Sequence, residues 1–185
     1  DIALKQLDLL MWNVNHPTGL TNITAVMFFK NKLNEQKVVE VIENRINHFE
    51  KFKAKVIHKK GTPMWHFDEL FNIHAHIHKV ALPDGGDDAA LMQMISDLIS
   101  SPLDYSKPLW QVHLIEDYEG GSALLWRIHH AIGDGSSLMN ALLKLTDSTP
   151  IIQKFTFPKI SKTRLKKKVK PINWKQKFED GKRLT

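Results

Sequence analysis

Ser122-Ala123-Leu124-Leu125-Trp126-Arg127-Ile128-His129-His130-Ala131-Ile132-Gly133-Asp134-Gly135 runs from an apolar stretch into two adjacent histidines and a glycine-bearing turn. Residues 122–128 have the length and composition of a strand, and Glu119-Gly120-Gly121 ahead of them reads as a turn. Beyond Gly135, Leu138, Leu142 and Leu145 recur along one side of a helix. The histidines therefore sit at a strand-to-helix junction.

Working outward, Leu109 to Glu116 reads as the strand before the motif strand, approached through an irregular stretch at Pro102-Leu103-Asp104 and Lys107-Pro108. Asp87 or Asp88 starts a helix carrying Leu91, Met94, Ile95 and Leu98, and Pro83-Asp84-Gly85-Gly86 closes a strand spanning Phe71 to Leu82. Nearer the start, Lys60-Gly61-Thr62-Pro63 reads as a turn and Phe52 to His58 as extended chain. Asn34 caps a helix with Val38, Ile42, Ile46 and Phe49 on one stripe. Leu20 to Phe29 is a further strand, and Ile2, Leu4, Leu7 and Leu9-Leu10-Met11 recur at near-helical spacing and read as a short helix. Helices inserted between strands that can share one sheet predict an α/β fold, a two-layer mixed sheet with helices.

The 185 residues suffice for one domain with its own core, and 42% apolar with 25% charged residues is a globular composition. The absence of cysteine excludes disulfides, thiolate nucleophiles and Cys-ligated zinc, and suits a cytoplasmic setting. No secretory signal is expected at the start, and the longest apolar runs, such as Ile23 to Phe29, fall short of the roughly 18 residues of a membrane span. The net charge of +6 is uneven. From Lys154 to Thr185 there are twelve Lys/Arg against Glu179 and Asp180, a balance of +10, which leaves −4 for the rest. Residues 1–150 are thus expected to form the domain and 151–185 a basic linker or tail.

On its chemistry, the His129-His130 pair admits two readings. A neutral imidazole is a good general base at cellular pH, yet paired imidazoles are also common structural groups. Neighbouring strand residues point to opposite faces, so one of the two reaches a cleft while the other packs inside. Gly133 and Gly135 are expected to turn the backbone with positive φ, and Asp134 to hold the turn by accepting backbone N–H bonds or pairing with a buried Arg.

His-His-x-x-x-Asp-Gly at 129–135 resembles the active-site motif of the CoA-dependent acyltransferase superfamily. Pro102-Leu103-Asp104, Pro108-Leu109-Trp110-Gln111-Val112-His113-Leu114-Ile115 and Gly120-Gly121-Ser122-Ala123-Leu124 narrow the resemblance to bacterial-type wax ester synthase/acyl-CoA:diacylglycerol acyltransferases. Trp65, Phe67-Asp68, His76 and Leu82-Pro83 are similar to that family as well. The resemblance spans residues 2 to 146 and implies a chloramphenicol acetyltransferase-like half carrying the motif. It implies an O-acyltransferase that moves a fatty acyl group from acyl-CoA, a substrate rather than a bound cofactor, to a long-chain alcohol or diacylglycerol. His130 would be the general base, with His129 and Asp134 shaping the site around Gly133 and Gly135. Family members are about twice this length, so a C-terminal half, in the same protein or a second chain, is the expected partner. Alternatives are a condensation-type domain using a carrier-protein thioester, or a catalytically silent half that binds lipid or a partner.

Other residues carry weaker expectations. His113 and Trp110 are candidates for substrate contact, against the simpler reading that both are core residues. His74, His76 and His78 alternate along the expected strand, a spacing that can ligate zinc, but no carboxylate completes a set and no metal site is expected. In the tail, Leu165, Val169, Ile172, Trp174 and Phe178 are spread among and just beyond the lysines of 162–170. This composition suits a linker or a peripheral contact with an anionic membrane or lipid-droplet surface, and no nucleic-acid module accompanies it.

Overall fold

The computed structural model describes residues 1–83 and 86–144. Leu145, Asp84-Gly85 and the basic stretch of 151–185 lie outside the described residues, as does the boundary expected at 150.

The expected mixed α/β fold is present. Its main sheet has four strands in the order β2–β7–β6–β5: β2 (Asn22–Phe29), β7 (Gly121–His129), β6 (Trp110–Tyr118) and β5 (Ile77–Ala81). β7 runs antiparallel to both neighbours, while β5 and β6 are parallel. A parallel pair needs a crossover, supplied here by helix α3 (Asp88–Ser100). A smaller antiparallel sheet has the order β1–β4–β3, from β1 (Ile2–Ala3), β4 (Thr62–Phe67) and β3 (Ala54–Lys59). The other α-helices of the described chain are α1 (Gln6–Asn13), α2 (Glu35–Ile46) and α4 (Gly135–Lys144); the helix expected from Ile2 begins only at Gln6, because Ile2–Ala3 pair with β4.

Period-2 alternation divides the core. Trp110, Val112 and Leu114 of β6, with Leu124, Trp126 and Ile128 of β7, face α2, α4 and the small sheet. The residues between them, Ile115, Ala123 and Leu125, pack with Leu91 of α3. Both faces of the sheet are therefore covered, and β7 is buried along its whole length.

Local chemistry sets the boundaries. Asn34 accepts the Lys37 N–H at 3.1 Å and Asp87 the Ala90 N–H at 2.8 Å, the two expected caps. Two-residue turns at Lys60-Gly61 and Glu119-Gly120, with φ of 51°, 80°, 47° and 78°, close the β3–β4 and β6–β7 hairpins. Thr62-Pro63 belongs to β4 rather than to the turn. Pro63 pairs only with His58, because β1 reaches no further than Met64.

The expected strand 71–82 is shorter than its composition suggests. The Asn72 side chain accepts the His74 N–H at 3.0 Å and starts a 3-10 turn over Ile73–Ala75, after which His76 is also helical in conformation. The three histidines consequently do not share a face: His74 is exposed, His76 buried and His78 half-buried. Among the described residues no group of three or more His, Asp or Glu is placed to hold a metal ion. None of the described helices is long and apolar enough to cross a membrane.

Candidate active site

The end of β7 delivers His129 into a fully buried setting. Its Nδ1 accepts the Ala131 N–H at 3.1 Å, so that nitrogen carries a lone pair. The neutral ring is then protonated at Nε2, which donates to the Thr21 hydroxyl at 3.2 Å. Thr21 Oγ1 in turn lies 3.1 Å from both Met11 O and Asn15 Oδ1. Asn15 also accepts the Thr21 N–H at 2.9 Å and donates to Tyr105 Oη at 2.5 Å. The rings of Trp12 and Tyr105 stand 5.8 and 6.2 Å from the imidazole. Every polar edge of His129 is thus occupied by the protein.

His130 is held differently. Its backbone N–H donates to Thr21 O at 2.8 Å, extending the β2–β7 ladder by one bond, while its half-exposed ring makes no hydrogen bond among the described residues. Its Nδ1 is buried without a partner. Of the two histidines, His129 packs inside with its ring engaged, and His130 is the half-exposed one.

The turn beyond is set by Asp134. Its carboxylate accepts the Ser137 N–H at 2.7 Å and the Ser136 hydroxyl at 2.9 Å, and these bonds hold its pKa down to about 2. Asp134 is accordingly the N-cap of α4, satisfying N–H groups that the helix itself leaves unpaired. The buried Arg127 is not its partner, since it donates to Gln111 Oε1 and Ser101 O. Neither Gly133 nor Gly135 has the expected positive φ. Gly133 instead serves close approach, since a Cβ there would lie 3.3 Å from Ser137 Cβ; at Gly135 a Cβ would meet nothing within 4 Å.

Trp110 and His113 do not join this junction. Trp110 is fully buried, donates from Nε1 to Phe52 O at 2.7 Å and stacks on His76 at 4.5 Å, so it faces core rather than cleft. His113 pairs with Leu125, four residues back along β7 from His129, or about 13 Å. The residues that sequence reasoning missed are Thr21, Asn15, Tyr105 and Lys51. Lys51 Nζ bonds Ala131 O at 3.3 Å and the buried Asp8 carboxylate at 2.6 Å, tying the motif turn to α1. None carries a local signal toward the motif, because the bonds that link them to it span 80 or more positions, as Thr21 to His129 and Lys51 to Ala131 do.

Burial pushes His129 and His113 down from 6.5 to about 4, with His130 adding to the effect on His129 and His78 and Arg127 to that on His113. Between those values an unfolded chain takes up a proton at each ring that the folded protein refuses. Stability is therefore full above about pH 6.5 and is lost as pH falls toward 4, at most about 1.4 kcal/mol per pH unit for each ring. Thermal melts between pH 7 and 4.5 should show a steadily falling Tm, and His113→Leu should flatten the slope. An unchanged slope in that variant would contradict the buried neutral imidazole.

A family model for the wax ester synthase/diacylglycerol acyltransferase catalytic domain matches residues 4–177. Wax ester synthase/diacylglycerol acyltransferase 5 of Arabidopsis thaliana is 32% identical over 139 residues, covering 69% of this chain and 27% of the relative. Among solved structures, the wax ester synthase/diacylglycerol acyltransferase from Marinobacter aquaeolei VT8 superposes with a TM-score of 0.68 at 24% identity, over 81% of this chain and 38% of that one. The epimerization domain from the third module of tyrocidine synthetase B superposes with a TM-score of 0.64 at 21% identity, over 78% and 32%. These two likenesses concern the fold. The chain spans well under half the length of these relatives.

Proposed function

The chain belongs to the wax ester synthase/diacylglycerol acyltransferase family, and from that membership we propose that it supplies the base-bearing portion of an O-acyltransferase. The donor is a fatty acyl-CoA and the acceptor a long-chain alcohol or a diacylglycerol. His130 takes the proton of the acceptor hydroxyl as that oxygen attacks the thioester carbonyl. The C–O bond forms, the C–S bond breaks, and the departing CoA thiolate recovers the proton from the imidazolium. No acyl-enzyme is needed, and the chain has no cysteine to form one through a thiol. Because a thiolate leaves readily, positioning and proton removal supply most of the acceleration.

The observation that carries this reading is the asymmetry of the histidine pair: His129 has both ring nitrogens bonded by the protein, while His130 is half-exposed and its Nδ1 has no partner among the described residues. His129, the Asp134 cap and the Lys51–Ala131 contact then act as scaffold. A further portion of the protein, or a second chain, completes the walls, in keeping with the relatives' greater length. Peripheral contact with an anionic lipid surface through the basic stretch of 151–185 would bring such an enzyme to its substrates.

The test offers hexadecanoyl-CoA with hexadecan-1-ol or a diacylglycerol and follows free thiol and ester together. Equimolar release of both is the expected result. Ester formed only from a carrier-protein thioester, with acyl-CoA inert, would overturn the donor assignment.

A further inference from the structure

A cavity lies away from the histidine junction, on the face of the sheet that carries α3. Leu82 beyond β5 and Met94 and Leu98 of α3 form its walls, and His113 of β6 lines it from the sheet. Its volume of about 530 Å³ falls within the ~300–1,000 Å³ of small-molecule sites. The polar groups at the helix side satisfy one another, since Gln93 Nε2 donates to Asp97 Oδ1 at 2.9 Å. His113 does not: it is more than nine-tenths buried, and its Nδ1 has no partner among the described residues. A buried polar atom left unpaired in an apolar setting is unfavourable, and a ligand atom can relieve it.

The charge nearby selects the kind of ligand. Arg127 lies on the same face, two residues along β7 from the His113 partner Leu125, and is buried. It donates to Gln111 and to a backbone carbonyl, makes no ion pair among the described residues and keeps an unpartnered Nε. Arg127 stands outside the cavity lining but sets a positive potential over this part of the sheet, strengthened by burial, while the carboxylate that does line the cavity, Asp97, accepts from Gln93 Nε2. We propose that this cavity binds a long-chain carboxylate, its aliphatic chain against Leu82, Met94 and Leu98 and its head at His113 within the field of Arg127. The site is separate from the acyl transfer assigned to His130 and requires none of its chemistry.

Calorimetric titration with dodecanoate, kept below its micelle concentration, tests the site, with dodecan-1-ol as the uncharged probe. Dodecanoate should bind one to one, and the alcohol at least about tenfold more weakly. Met94→Trp fills the cavity from the helix side and His113→Phe keeps the ring volume without the nitrogen; each should weaken dodecanoate at least about tenfold with its melting curve retained. His130→Ala should bind as the parent does, which separates this site from the transfer site. Absence of binding, or equal binding by the parent and Met94→Trp, would overturn the site. Equal affinity for the alcohol would overturn the carboxylate assignment.

Discussion

His130→Ala should lower kcat by about 10²–10⁴-fold, the usual contribution of a positioned general base, while leaving the protein folded. The fold survives because the side chain contributes no hydrogen bond among the described residues, and the bond that fixes this position, backbone N–H to Thr21 O at 2.8 Å, is untouched by the substitution. Acyl-CoA binding should also persist, so the loss falls on kcat more than on KM. His129→Ala provides the contrast. It leaves the buried Ala131 N–H without its acceptor and removes the ring that the partly buried Thr21 hydroxyl meets, so stability and turnover should fall together. The pair of variants is read by steady-state thiol release alongside thermal melts. Turnover of His130→Ala within threefold of the parent would remove His130 from the chemistry and leave the motif a structural one.

That contrast also marks where sequence reasoning stops. The alternation of neighbouring residues on a strand says that His129 and His130 diverge, but not which one meets the core. The choice is made by Thr21, 108 positions before His129, and by Asn15 and Tyr105, themselves 90 positions apart. No window of local sequence contains that relay. The same limit applies to His113 and Trp110, expected together as substrate contacts or core residues: they lie on opposite faces of β6, and α3 leaves a cavity over only His113. Short-range signals fared better: Asn34 and Asp87 cap the helices expected of them, and the apolar runs ending in Phe29, at Glu116 and at Ile128 are strands. Where a short-range signal failed, a stronger one competed with it. Pro63 reads as part of a turn but is accommodated where β4 outruns β1, and the Asn72 cap winds into a 3-10 turn a stretch whose composition favours a strand.

Gly121→Ala should be the most disruptive single methyl in the described chain. A Cβ at Gly121 would lie 1.9 Å from Phe29 O and 2.9 Å from the carbonyl carbon of Lys30, both backbone atoms that cannot rotate away. Relief requires either β2 or the end of β7 to move. The β2–β7 ladder is continuous from Phe29↔Ser122 to Asn22↔His129, so the displacement enters the strand pair that ends at the histidines. A one-residue slip is no escape, because it would turn the fully buried β7 side chains to the wrong faces. A cost of about 3–5 kcal/mol is expected, or a fall in Tm of roughly 10 °C or more for a chain of this size. Gly120→Ala, one residue earlier, is the control: a Cβ there meets nothing within 4 Å, and only the left-handed φ of 78° opposes it, at about 1–2 kcal/mol. If differential scanning calorimetry gave the two alanine variants the same Tm, the close approach of β7 to Phe29 would not be what holds this ladder in register. If Gly121→Ala melts far lower and also loses turnover more steeply than Gly120→Ala at a temperature where both are folded, the ladder is what carries Thr21 to His129. The position of the free imidazole then depends on a glycine at the opposite end of the strand.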